Sequence, residues 1–274
     1  MASSSEAVRV RRPAVAGSFY PADPETLRAE VARLLHAARA DNPGVMDSRD
    51  APKAIIAPHA GYMYSGPVAA SAYAPVSSSA PGIRRVVLVG PSHFVPLTGL
   101  ALPDADALET PLGRVALDPE ARERLARRSE VCTSARAHAF EHSLEVQLPF
   151  LQYLLGEFTV VPLAAGDASP DEVADVLEDV WGNNETLLVI STDLSHYLPY
   201  DAARRVDSET CQLAMKLEPR LDGERACGYV PLNGMLLAAR RRGLRIAQLD
   251  LRNSGDTAGD RTRVVGYGAF AIYE

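Results

Sequence analysis

Two short apolar runs constrain this chain more than any other feature of its sequence. Residues 54–57, Ala-Ile-Ile-Ala, lie between Pro52 and Pro58, and residues 86–89, Val-Val-Leu-Val, run into Gly90. Each is too short for a stable helix and is closed by a residue that ends regular structure, so each reads as a buried strand. Between them, residues 66–74 are rich in alanine and read as a helix. Strand, helix, strand in that order is the unit of a parallel sheet, because parallel neighbours need a crossover long enough to carry the chain back.

The alternation continues along the chain. Asp23 and Pro24 supply an N-cap and a first helical position for a helix that aligns Leu27, Val31, Leu34 and Leu35 on one face. Further helices are expected over 118–128, 143–155 (with Leu144, Leu148, Leu151 and Leu155 on one face), 170–181, 201–217 and 232–242. Strands are expected over 158–163, 187–191, 244–251 and 264–273, and loops over 41–52 and 253–260. The expected fold is a single α/β domain over residues 13–274, with a central, mostly parallel or mixed sheet flanked by helices. Residues 1–12 are expected to form a flexible tail.

Composition narrows the partners. The formal net charge of -7 argues against a nucleic-acid partner. No apolar run approaches the roughly 18 residues of a membrane span, and the first residues, MASSSEAVRVRR, lack the apolar stretch of a signal peptide. The three cysteines, Cys132, Cys211 and Cys227, are odd in number and far apart, which fits a reducing cytoplasm rather than a disulfide framework. Cys132 and Cys211 read as buried core thiols.

Open α/β sheets bind ligands just outside the carboxyl ends of their strands. Three expected strands end in titratable loops: PHAGYMYSG (58–66) with His59, GPSHF (90–94) with His93, and STDLSHY (191–197) with Asp193 and His196. In a parallel sheet these ends share one edge, so three histidines and a carboxylate are expected to converge. Neutral imidazole is the commonest metal ligand, and carboxylates often orient it. Cys227, in ACGYVPLNGM (226–235), precedes a helix, where a lowered thiol pKa would make it a ligand or nucleophile. His142, in EHSLE (141–145), has Glu145 one turn on and reads as a ligand, a substrate contact or a cap. His36 and His138 read as ordinary surface and loop histidines. The loop NSGDTAGD (253–260) lacks the spacing of a nucleotide cradle and reads as the rim of a site.

Taken together, VAGSFYPAD (15–23), PHAGYMYSG, GPSH, EHSLEVQLPFL (141–151), STDLSHY, the Cys-Gly at 227–228 and SGDTAGDRTRVVGY (254–267) resemble the Memo family. Its bacterial and archaeal members are also called AmmeMemoRadiSam system protein B. The resemblance implies a fold similar to the class III extradiol ring-cleaving dioxygenases. It implies metal ligands at His59, His93 and Cys227, with Asp193, His196 and His142 close by. It also implies iron or copper redox chemistry and a functional link to a radical SAM protein and an AMMECR-type protein. Ring-cleaving enzymes hold Fe(II) with two histidines and a carboxylate. A cysteine in the carboxylate position is softer and favours copper(I), zinc or thiolate-ligated iron.

Three functions are therefore expected to compete. The first is an oxidoreductase using Fe2+, with copper or zinc as other ions, on a small-molecule substrate. In it His196, oriented by Asp193, is the general acid/base, His142 hydrogen-bonds the substrate, and Tyr62 and Tyr64 line the pocket. The second is a non-catalytic redox or signalling module that sequesters metal or binds a peptide or other partner. The third is a hydrolase with Cys227, His196 and Asp193 as its triad.

Overall fold

A computed structural model of the protein describes residues 8–41 and 51–274. The expectations for residues 1–7 and for the loop at 42–50 lie outside the described residues. Twelve strands join one mixed sheet: β1 (Val10–Arg11), β2 (Ala54–Ala57), β3 (Arg85–Pro91), β4 (Leu100–Leu102), β5 (Ala107–Thr110), β6 (Gly113–Leu117), β7 (Val131–Thr133), β8 (Thr159–Ala165), β9 (Thr186–Ser191), β10 (His196–Leu198), β11 (Arg245–Asn253) and β12 (Val264–Tyr273). The helices are α1 (Pro24–Asp41), α2 (Tyr62–Tyr73), α3 (Pro119–Leu125), α4 (Ala135–Ala139), α5 (Leu148–Leu155), α6 (Pro170–Asp179), α7 (Tyr200–Met215), α8 (Tyr229–Arg241) and α9 (Ser254–Thr257).

The centre of the sheet runs β8-β3-β9-β2, all parallel. β12 then adds antiparallel to β2 and carries β11. Side chains of the parallel strands alternate between two cores, as the pleat requires. Ile55, Val86, Leu88, Leu187 and Val189 pack toward α1, α2 and α5. Ile56, Val87, Val89, Leu188 and Ile190 pack toward α6 and α8. The result is a single α/β domain with helices on both faces of a mixed sheet, as expected from the strand and helix pattern.

Several boundaries differ from the expectation. α2 begins at Tyr62, one turn before the alanine run. The 143–155 segment is not one helix: a 3-10 turn at Glu145–Gln147 precedes α5. Pro149 explains the break, since it has no N–H to donate and its ring crowds the carbonyl four residues back. Leu144, Leu148 and Leu151 are nonetheless buried together. The strands between 100 and 133 were not expected, being only three to five residues each with no sustained alternation. Val10 and Arg11, expected in the tail, pair in parallel with Ala107 and Leu108. Arg11 is also ion-paired to Glu145. That buried carboxylate accepts the backbone N–H groups of Ala14 (2.7 Å) and Val15 (3.0 Å) and the Tyr20 hydroxyl (2.5 Å). Glu145 is thus an anchor for the N-terminal segment and does not join His142.

Candidate metal centre

β9 lies between β2 and β3, and this insertion builds the site. Ala57 is in register with Ser191, and Val89 with Ile190, so the three strands end level. His59 follows β2 by two residues, His93 follows β3 by two, and Asp193 follows β9 by two. The loop carrying His142 comes in from the side. It can approach because residue 90 is glycine: a Cβ there would lie 2.8 Å from Ser143 Oγ. The ligand atoms of His59, His93 and His142 all fall within 4.8 Å of one another, a spacing that could hold one metal ion. The His93 and His142 rings stack at 4.9 Å and 11°, and His59 stands edge-on to both.

Hydrogen bonding to fixed oxygen acceptors sets the tautomer of two of the three rings. The Tyr73 hydroxyl donates to Gln147 Oε1 (2.9 Å), so the Gln147 amide nitrogen faces Pro58 O (2.9 Å) and Ser191 Oγ (2.9 Å). Ser191 donates its own proton to Ser143 O (2.6 Å). Its oxygen can only accept from His59 Nδ1 at 2.9 Å, which puts the His59 proton on Nδ1 and a lone pair on Nε2. Burial and the charges of neighbouring histidines hold His59 well below its ordinary pKa, so the ring stays neutral.

His93 is oriented differently. Its Nδ1 lies 2.9 Å from Glu141 Oε1, and its backbone N–H donates to Oε2 at 2.6 Å. Burial raises the Glu141 carboxyl, but hydrogen bonds and charge from His93 outweigh this and bring it to about 2. An ionised carboxylate only accepts, so His93 also carries its proton on Nδ1. The His142 ring has no hydrogen-bond partner among the described residues. Its Nδ1 is 3.8 Å from Glu141, and Phe19 packs on it at 4.9 Å. Glu141, Gln147 and Ser191 were missed in the sequence, although Glu141 is adjacent to His142.

Cys227 arrives from the loop before α8, with Sγ 3.2 Å from His59 Nε2 and 3.3 Å from the Asp193 backbone nitrogen. Gly228 permits this, since a Cβ there would meet Ser191 O at 2.7 Å. The expected lowering of the thiol pKa is not found. Burial, with the Asp193 charge, pushes it up to about 12, so desolvation outweighs the nearby helix start. Asp193 Oδ1 accepts the His59 backbone N–H at 2.7 Å. His196 is oriented by the Leu194 carbonyl (2.8 Å to Nδ1) and not by Asp193. Cys227, His196 and Asp193 are therefore not wired as a hydrolase triad.

A cavity of about 850 Å³ opens over these groups and is lined by His59, His93, His142, Asp193, His196 and Cys227. Tyr64 lines it as expected, and so do Ser254, Gly259 and Asp260 of the expected rim loop. Tyr62 does not: it is buried, donates to Val146 O (2.7 Å) and packs on Phe150, because α2 already includes it. Phe19, Tyr197, Arg263 and Tyr267 also line the cavity and were not anticipated. Of the remaining residues, His36 is exposed and His138 is bonded to Ala101 O at 2.7 Å. Cys211 is buried as expected, whereas Cys132 is exposed on the short strand β7.

A family model described as Memo-like protein matches residues 11–271. The chain is 37% identical to a MEMO1 family protein of Sulfolobus acidocaldarius, over 94% of this chain and 97% of that one. It is 37% identical to one of Aquifex aeolicus, over 95% and 98%. In fold it is similar to uncharacterized protein JW3007 from Escherichia coli K12, with a TM-score of 0.52 and 14% identity over 80% of this chain and 98% of that one. Among the described residues no helix is long and apolar enough to cross a membrane.

Proposed function

The chain belongs to the Memo-like protein family, and from that premise we propose that the cavity is the mononuclear metal centre of an oxidoreductase acting on a small molecule. The observation that carries this reading is the convergence of the ligand atoms of three imidazoles within 4.8 Å, two of the rings having Nδ1 protonated and the lone pair on Nε2. A metal-bound histidine nearly always donates its other ring N–H to a fixed acceptor. His59 and His93 do so, and His142 does not. We therefore assign the third ligand position to the Cys227 sulfur, beside His59 Nε2, and leave His142 facing substrate. The Asp193 N–H pointing at Sγ favours the thiolate form that a bound cation would require. Iron is the preferred ion, with copper or zinc the alternatives for so soft a donor set. Bound there, iron would supply redox chemistry and Lewis acidity.

The chain's own groups supply the rest. His196 Nδ1 is engaged with Leu194 O, so Nε2 is the atom that takes or gives a proton. Asp193 holds the His59 loop through its backbone. The odd, widely spaced cysteines fit a cytoplasmic protein, and the resemblance implies a functional link to a radical SAM protein and an AMMECR-type protein.

A second reading, a metal-binding module that docks a peptide without turnover, is favoured by Met63, Phe94 and Tyr197. These are 64%, 57% and 62% exposed near the histidines, and Met63 and Tyr197 line the cavity. Oxygen uptake by iron-loaded protein with a panel of aromatic diols separates the two. Substrate-dependent uptake that Cys227→Ser and His196→Gln both abolish supports the oxidoreductase. Metal binding with no uptake on any diol supports the docking module.

A further inference from the structure

The cavity carries one fixed positive charge on its wall. Of the described residues that line it, Arg263 is the sole lysine or arginine. Its guanidinium lies 5.0 Å from the centroid of the Tyr197 ring, and it forms no ion pair with any described carboxylate. Some arginines of the molecule are neutralised, such as Arg252 on Asp250 and Arg241 on Asp171 and Asp175, and others, such as Arg261 over Tyr200, are not; Arg263 is distinguished by its place on the cavity wall. The acid closest in sequence, Asp260, also lines the cavity, but its Oδ1 is turned into its own loop. There it accepts the Thr262 backbone N–H (2.7 Å) and hydroxyl (2.5 Å).

The partner ring is held at a cost. Tyr197 has φ of 59°, a left-handed conformation that is unfavourable for an aromatic residue. It sits where the β10–β12 register slips between His196 and Leu198. Such bulges re-aim side chains beside functional sites. Here the bulge sets Tyr197 against Arg263 at the wall that also bears His196. An exposed arginine braced by an aromatic ring, free of carboxylates and set on a cavity wall can receive an anion, since its planar fork matches a carboxylate.

The rest of the wall defines the ligand further. Phe19, Met63, Tyr64 and Tyr267 give it apolar surface, and the volume suits a small organic molecule. The chain's net charge of -7, with Asp193 and Asp260 in the same cavity, favours one negative charge over two. We propose that Arg263 is the anion-recognition residue of this cavity, and that its ligand is a small monocarboxylate with an apolar, ring-sized body. This rests on the cavity being the substrate site, as proposed above.

The test uses metal-free protein, so that no ion can hold the carboxylate, with benzoate and its neutral isostere benzamide as probes. Wild-type protein should bind benzoate about tenfold tighter than benzamide, as a charge-assisted contact predicts. Arg263→Gln should lose that preference while benzamide binding stays unchanged. Arg263→Lys should retain part of it, having the charge without the fork. Equal affinity for the two probes in wild type, or unchanged benzoate binding in Arg263→Gln, would overturn the assignment. Metal content of the same proteins, measured before metal removal, separates the two readings. Full metal in Arg263→Gln with unchanged benzoate binding rejects the anion site alone, whereas absence of metal from wild type rejects the metal centre.

Discussion

The two ends of the central sheet each bear a cavity and a buried titratable group, and they differ in what those groups have left to offer. At the amino end, a cavity of about 580 Å³ is lined by Lys53. Its ammonium donates to Asn183 O (2.7 Å), Thr186 O (3.0 Å) and Gly182 O (3.4 Å), so every proton is engaged. At the carboxyl end, the oxygen acceptors of the His59 and His93 rings both fall on Nδ1; among the described residues His93 Nε2 is left over, and His59 Nε2 meets only the Cys227 sulfur at 3.2 Å, itself a candidate ligand. Burial of a charged or polar group marks both sites, but only unsatisfied capacity aimed into the cavity marks a site for chemistry.

The largest effect that would break this contrast is on metal affinity. Glu141→Ala and Ser191→Ala each remove the acceptor that fixes one ring, and each should weaken metal binding about 10- to 100-fold in a chelator competition titration. Unchanged affinity would mean that the tautomers are not set by these partners. At the opposite edge, Lys53→Met should leave metal affinity untouched. It should lower the urea-derived stability by about 1–3 kcal/mol, because three carbonyls lose their donor. A loss of metal in that variant would couple ends that the contrast treats as separate.

A smaller effect concerns Asp207, which accepts the Ser195 N–H at 3.0 Å and so steadies the loop bearing Asp193 and His196. Burial pushes its carboxyl up to about 6. A folded pKa raised above the unfolded value contributes stability that is fully present below about pH 4 and is lost as pH rises through 6. Urea titrations should show wild type losing about 1–2 kcal/mol relative to Asp207→Asn between pH 4 and pH 7. Parallel curves for the two proteins would remove Asp207 from the account.

His59, His93 and Asp193 were legible in the sequence because a short apolar run followed by a polar loop is a local signal, and a parallel sheet places such loops on one edge; Cys227 follows no strand and was singled out by its place before a helix and by the family resemblance. The insertion of β9 between β2 and β3 was not legible. With it went the Tyr73–Gln147–Ser191 chain, which exists only because Ser191 pairs beside Ala57. Tyr62 was misplaced for a local reason. Starting α2 one turn earlier moves its ring from the loop into the core. Arg263 and Tyr197 escaped notice because a register slip has no periodic trace in the sequence.

The most direct test of the metal centre is the ion content of protein purified without oxygen from its own cells, measured for wild type and His59→Ala. The account predicts about one iron, copper or zinc ion per chain in wild type, and loss of most of it in the variant, since His59 Nε2 adjoins every other candidate ligand. Full retention of metal by His59→Ala would contradict it.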